Sequence, residues 1–174
     1  MKKKVFLLLA IACLLRPGII SAQSDEAIFS IYLVRHSEKV IDPDNLKNPP
    51  LTECGMIRSE NLASFLSAVD ISRIYSTDFL RTVQTAEPTA NKKGLNIEKY
   101  GPSDLESFAK KLLGARENVL VVGHSNTTPV LAGLLCGKEF GAMHESIYNR
   151  IYQVIIYENK TQLNIFHTEL NCNK

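Results

Sequence analysis

A chain of 174 residues is long enough for one domain and little more. With 45% hydrophobic and 22% charged residues it has the makeup of a soluble globular protein, not of a disordered or fibrous one. The formal charge of +2 includes Lys2, Lys3, Lys4 and Arg16; beyond residue 22 sixteen basic residues face eighteen acidic ones, and a net of −2 without a basic, aromatic-laced stripe argues against a nucleic-acid partner.

The first stretch reads as a targeting signal. Lys2 to Lys4 form a charged start, Val5 to Leu15 an apolar run, and Ile19-Ile20-Ser21-Ala22 a small-residue exit. The run is shorter than the roughly 20 residues a membrane span needs. Cleavage near Ala22 is expected, which makes the protein exported, periplasmic or secreted, and leaves residues 23–174 as a single domain. The alternative is a lipoprotein anchored through Cys13, the only route by which a membrane enters this reading. Cys54, Cys136 and Cys172 remain after cleavage; their spacing suits no zinc site, the odd count leaves at least one thiol free or paired between chains whether or not two of them form a disulfide, and the plainer reading is small, partly buried thiols.

The next stretch, Ile28 to Val34, is a β-rich apolar run that ends abruptly in Arg35, His36, Ser37 and Glu38. A buried strand of a parallel sheet reads this way when it delivers chemistry at its carboxyl end. A polar loop with Pro43, Pro49 and Pro50 follows. Thr52 is a plausible N-cap for a helix in which Ile57, Leu62, Phe65, Leu66 and Val69 recur at helical spacing, with Ser59, Glu60 and Ser67 facing out.

Ile71 to Tyr75 is a second strand, and Ser76 or Thr77 caps a helix carrying Phe79, Leu80, Arg81, Val83 and Ala86 until Gly94. Leu95 to Tyr100 is a third strand. Ser103-Asp104-Leu105-Glu106 reads as a capping box for a helix running through Leu113. Val119 to Val122 is continuously apolar, as in a central strand buried on both faces. Gly123-His124-Ser125-Asn126 turns the chain into a helix from Thr127 to Cys136, with Gly137 at its end. Ile151 to Tyr157 and Gln162 to His167 form a hairpin pattern. The alternation predicts an α/β chain: a three-layer α/β/α sandwich on a mostly parallel sheet, closed by an antiparallel hairpin.

Two strands thus end in histidine. If they are neighbours, His36 and His124 face each other across one pocket, with Arg35 and Arg81 beside them. A phosphate monoester carries close to two negative charges near neutral pH, and arginine matches it bidentately. A neutral imidazole is a competent nucleophile at that pH. Attack by His36 on phosphorus gives a phosphohistidine that water hydrolyses, while His124 and the arginines stabilise the equatorial oxygens. No metal or other cofactor is required.

Four segments together resemble the histidine phosphatase (phosphoglycerate mutase-like) superfamily: Arg35-His36-Ser37-Glu38, Leu51-Thr52-Glu53-Cys54-Gly55, Ser76 to Ala86 with Arg81, and Val121 to Asn126 with His124. The likeness covers about Ile28 to Gly137 in the family's order. It implies a phosphatase with His36 as nucleophile, and Arg35, Arg81, His36 and His124 as its phosphate pocket. The length is similar to that of the short, open-pocketed members. Mutase activity is disfavoured, because water reaches the intermediate in an open pocket. The substrate implied is a small phosphorylated molecule or a phosphohistidine-bearing protein.

Ser37 and Asn126 are further candidates for substrate binding, though both also suit the turns they occupy. The resemblance also implies a general acid, for which Asp78, Glu98, Asp104 and Glu106 are open candidates. Glu38 either pairs with an arginine or serves the site. Lys39 and Lys47 lie in the open loop, and His144 and His167 read as surface or core residues. Three rival readings stand beside this one. Ser125 in Gly123-His124-Ser125-Asn126-Thr127 is a broken nucleophile elbow for an esterase. A zinc site on His36, His124 and Glu38 lacks ligand spacing. A phosphate-binding or phosphosugar-sensing module with little turnover would keep the arginines without needing both histidines.

Overall fold

The computed structural model describes residues 28–158 and 160–169. The targeting segment with Cys13, and Cys172, lie outside these residues. In chain order the elements are β1 (Phe29–Arg35), α1 (Glu53–Phe65), β2 (Arg73–Ser76), α2 (Leu80–Lys93), β3 (Ile97–Lys99), α3 (Leu105–Ala115), β4 (Val119–Gly123), α4 (Thr128–Cys136), β5 (Arg150–Tyr157) and β6 (Lys160–His167). The strands form one sheet in the order β3-β2-β4-β1-β5-β6. The first four are parallel; β5 runs antiparallel to β1, and β6 antiparallel to β5. No helix among the described residues is long and apolar enough to cross a membrane.

Alternation along the strands feeds two cores. Phe29, Ile31 and Leu33 of β1 join Val119 and Val121 of β4 under α3 and α4, where Phe108, Leu112, Leu131 and Leu135 cover them. Tyr32 and Val34 join Leu120 and Val122 under α1 and α2, where Leu62, Leu66, Ala86 and Ala90 cover them. A strand with helices on both sides is buried on both faces, which is why β1 and β4 are continuously apolar. The layers are those the sequence predicts: α/β/α on a mostly parallel sheet with a terminal hairpin.

Local details differ from the sequence reading in ways that bear on the site. Ser59 faces inward, fully buried, donating to Gly55 O at 2.8 Å, while Ile57 and Phe65 are exposed. The start of α1 packs directly against the loop that follows β1: a Cβ on Gly55 would lie 2.2 Å from Glu38 O. Thr52 caps α1 as expected, accepting from Gly55 N at 3.0 Å. The third strand shrinks to three residues at the sheet edge. The cap of α3 is Asp104 rather than Ser103. Phe79 sits at the N-cap of α2 without a side-chain cap bond, so neither Ser76 nor Thr77 serves there. Cys54 is disulfide-bonded and Cys136 is a free thiol, so the reading of simple thiols fails for Cys54.

Two glycines make this packing testable. Gly55→Ala is expected to lower stability by about 1–3 kcal/mol, because the backbone of Glu38 must move. Gly114→Ala, where an added Cβ meets nothing within 4 Å, is expected to raise it by about 0.5–1 kcal/mol. Urea unfolding of both variants at neutral pH checks the pair.

Candidate active site

The site is built on the pairing of β1 with β4. Val34 is opposite Val122 and Arg35 opposite Gly123. The ladder then runs one bond further, His36 N donating to Gly123 O at 2.9 Å. Each strand is followed by its histidine, so the register itself brings His36 beside His124. Their ring centroids are 5.5 Å apart and their planes nearly perpendicular. Gly123 is needed at the turn: a Cβ would come within 2.7 Å of Tyr100 Oη and 3.0 Å of the Thr127 and Thr128 hydroxyls. Thr128 in turn donates to Val34 O at 3.2 Å, tying α4 to the end of β1.

A cleft of about 530 Å³ opens beyond these strand ends, lined by Arg35, His36, Arg81 and His124 together with Lys39, Phe79, Ser125, Asn126 and Glu145. Both site arginines are held by aromatic faces. Arg35 lies 4.1 Å from the centre of the Tyr148 ring and Arg81 4.4 Å from that of Phe79. Phe79 also meets His124 edge to face at 5.2 Å, so one ring positions two site residues. Arg35 donates to Glu145 O, and to Ile147 O at 3.1 Å. Arg81 Nη1 lies 3.4 Å from Lys47 O. The Nε groups of both arginines are buried without a hydrogen-bond partner among the described residues. A buried N–H left unpaired costs about 1–3 kcal/mol, and two such donors on one cleft suit a ligand with several acceptor oxygens.

His36 is 3% exposed. Its Nδ1–H donates to Ser37 O at 2.8 Å, because a carbonyl can only accept. In the neutral ring that leaves the lone pair on Nε2. Burial, with Arg35, Arg81 and His124 nearby, pushes its pKa down to about 3 against the pull of the Ser37 carbonyl. Burial, then Arg81, Arg35 and Lys39, push His124 down to about 4. Burial also lowers both arginines, and Arg35 lowers Arg81 further, but from so high a starting value that they remain cations at neutral pH. Near pH 7 the cleft therefore holds two guanidinium charges and two neutral imidazoles.

The four central residues converge; several other candidates do not. Ser37 is 2% exposed and turned away from the cleft: its N–H goes to Thr85 Oγ1 at 2.9 Å and its hydroxyl meets Ser59 at 3.2 Å. It supports the strand end rather than binding substrate. Asn126 lines the cleft and is exposed. Asp78 is exposed and paired with Lys99 at 2.6 Å. Glu98 pairs with Arg73 at 3.1 Å on the surface. Asp104 is spent as the cap of α3, where the Ser107 N–H holds its carboxyl below the usual range. Neither these three acids nor Glu106 lines the cleft.

The carboxylate that does line it is Glu145. It lies in the irregular segment between α4 and β5, where no periodicity draws attention to it; Tyr148 was missed for the same reason. Glu38 is a structural partner, bound through both oxygens by Arg58 at 2.6–3.0 Å. His144 is exposed and meets the Ser146 hydroxyl at 2.7 Å. Among the described residues no group of three or more His, Cys, Asp or Glu side chains could hold a metal ion.

Residues 31–101 match the model of the histidine phosphatase superfamily (branch 1). No curated protein matches the chain. Among solved structures it is similar to the protein histidine phosphatase SixA complexed with tungstate, at 23% identity and TM-score 0.67, covering 80% of this chain and 97% of that one. It is also similar to an alpha-ribazole phosphatase from Shigella flexneri, at 16% identity and TM-score 0.65, covering 80% and 96%. A mycobacterial glucosyl-3-phosphoglycerate phosphatase follows at 12% identity and TM-score 0.65, covering 82% and 100%.

Both depressed histidines predict acid sensitivity. Between their folded values, about 3 and 4, and the ordinary 6.5, the unfolded chain binds more protons than the folded one. Stability is therefore fully present above pH 6.5 and declines as the pH falls, each histidine contributing a slope of at most about 1.4 kcal/mol per pH unit. Urea unfolding at pH 7, 6 and 5 should show this decline, and His36→Asn should flatten it.

Proposed function

We propose that this chain, whose residues 31–101 match the model of the histidine phosphatase superfamily, is a metal-independent phosphatase acting through a phosphohistidine on His36. The observation that carries the reading is the convergence of two neutral imidazoles and two arginines, each with an unpaired buried Nε, on one cleft. In the first step the Nε2 lone pair of His36 attacks phosphorus in line, the P–N bond forming as the bond to the leaving oxygen breaks. Arg35 and Arg81 meet the charge spread over the equatorial oxygens, where most of the stabilisation lies. Their fixed charges supply locally what a metal ion supplies elsewhere.

Glu145 is the proton carrier of this proposal. It delivers a proton to the leaving oxygen, then takes one from the water that attacks the phosphohistidine, releasing inorganic phosphate and restoring His36. The cleft volume lies in the range for small-molecule sites. A small phosphorylated molecule or a protruding phosphohistidine side chain both suit it, in line with the phosphatases to which the fold is similar. The reading places the protein outside the cytoplasm, after cleavage near Ala22.

A phosphate-binding module with little turnover is the second reading, favoured by the positions of Asp78, Glu98 and Asp104 away from the cleft. The two separate cleanly. Wild-type protein is expected to release phosphate from p-nitrophenyl phosphate with excess chelator present, and His36→Ala to release none. Turnover by His36→Ala, or loss of wild-type activity with chelator, rejects the mechanism; a wild type inert on all phosphoesters supports the binding module.

The acid has its own test. Glu145→Gln is expected to lower kcat about hundredfold on alkyl phosphates, within the usual range for general acid–base catalysis. On p-nitrophenyl phosphate, whose leaving group departs unprotonated, it should change kcat only a few fold. Equal losses on both substrates would remove Glu145 from this role.

A further inference from the structure

We infer that Thr77, anchored by Thr82, is a positioning residue that fixes His124 in the tautomer with its proton on Nε2 and its lone pair on Nδ1, opposite to the tautomer of His36. The hydrogen count requires it. Thr82 is fully buried, and its Oγ1 lies 2.9 Å from Thr77 O and 2.8 Å from Phe79 O. Carbonyl oxygens only accept, so the one hydroxyl hydrogen of Thr82 goes to a carbonyl. Towards Thr77, 3.0 Å away, Thr82 can then only accept. The single hydroxyl hydrogen of Thr77 is thereby committed to Thr82. His124 Nε2 also lies 3.0 Å from Thr77 Oγ1, and with that hydrogen spent the ring must donate.

Thr77 has no competing duty as a helix cap, because α2 begins three residues later without a side-chain cap bond. Its own N–H reaches Val122 O at 3.4 Å, fixing its backbone between β2 and β4. Nδ1 is the ring's other nitrogen, and His124 lines the cleft. His36 carries its proton on Nδ1, towards Ser37 O. Each imidazole of the unliganded protein therefore offers the cleft an acceptor and no donor.

This has a consequence for the ligand, which rests on the proposed phosphoryl site. A dianion bound beside His124 meets a lone pair unless a proton comes with it. Burial holds the His124 ring neutral, helped by the cations Arg81, Arg35 and Lys39; His36 and the Phe79 edge also face it. Two negative charges offset that influence, so the ring takes up a proton at Nδ1 and becomes a donor to the bound oxyanion. The site thus selects a monoprotonated phosphoryl group, or a dianion together with one proton.

The test uses the full chain with 15N-labelled histidine at pH 7 and long-range nitrogen–proton correlation spectra. His124 is expected in the Nε2–H form and His36 in the Nδ1–H form. Thr77→Val should shift His124 towards the Nδ1–H form, leave His36 unchanged, and be reversed by Thr77→Ser at the same position. A wild-type His124 in the Nδ1–H form overturns the proposal, as does an unchanged tautomer in folded Thr77→Val. The wild-type spectrum decides alone if that variant does not fold. Calorimetric titration with tungstate, a dianion, in two buffers of different ionisation enthalpy should show uptake of about one proton. Binding without uptake overturns the ligand consequence. Failure of tungstate to bind overturns the phosphoryl-site reading and with it the ligand consequence, while the spectra still decide the tautomer.

Discussion

The site depends on the alignment of two parallel strands. Arg35 opposite Gly123, extended by the bond from His36 N to Gly123 O, sets two histidines from distant parts of the chain within one ring's width of each other. A slip of one residue between β1 and β4 would turn every side chain of one strand to the wrong core. The two cores oppose such a slip, because Ile31 and Leu33 belong under α3 and α4 while Tyr32 and Val34 belong under α1 and α2. Ordinary apolar burial therefore enforces the juxtaposition of His36 and His124, and no special device is needed to align the two rings.

Electrostatics then sets what the geometry can do. Arg35 and Arg81 share a cleft in which Glu145, on the rim, is the carboxylate within reach. Their charge and the burial keep both imidazoles neutral near pH 7. The same arrangement favours an oxyanion and a nucleophilic nitrogen, so binding and reactivity come from one cause. Aromatic faces under both guanidinium groups hold the cations in place without neutralising them.

The parts legible in sequence are those written locally. An apolar run ending in Arg35-His36, and another ending in Gly123-His124, identify the strands, their burial and the end that bears chemistry. Arg81 is legible through its place in the first turn of a helix after a strand. Glu145 and Tyr148 are not legible, because Arg35, more than a hundred residues earlier, fixes the irregular segment that holds them. Ser59 deceives because apolar periodicity treats every serine as outward. Here the serine faces Ser37 just beyond the end of β1, and its hydroxyl is satisfied by its own helix. Asp104 and Thr77 show the limit of cap reading. Asp104, one residue past the expected start of the capping box, is itself the cap of α3, and Thr77, expected as a cap, is the partner of a site histidine.

The hairpin that closes the sheet has an effect on motion. Because β5 pairs with β1 from Phe29 to Val34 while β4 pairs with it from Ile31 to Arg35, the strand that leads into His36 is flanked on both sides. Its amides are released to solvent only when a neighbouring strand separates, so local breathing is suppressed where the chemistry sits. The irregular segments at the rim lack that double constraint. Freedom to move is thereby confined to the mouth of the cleft, above a floor that keeps its shape.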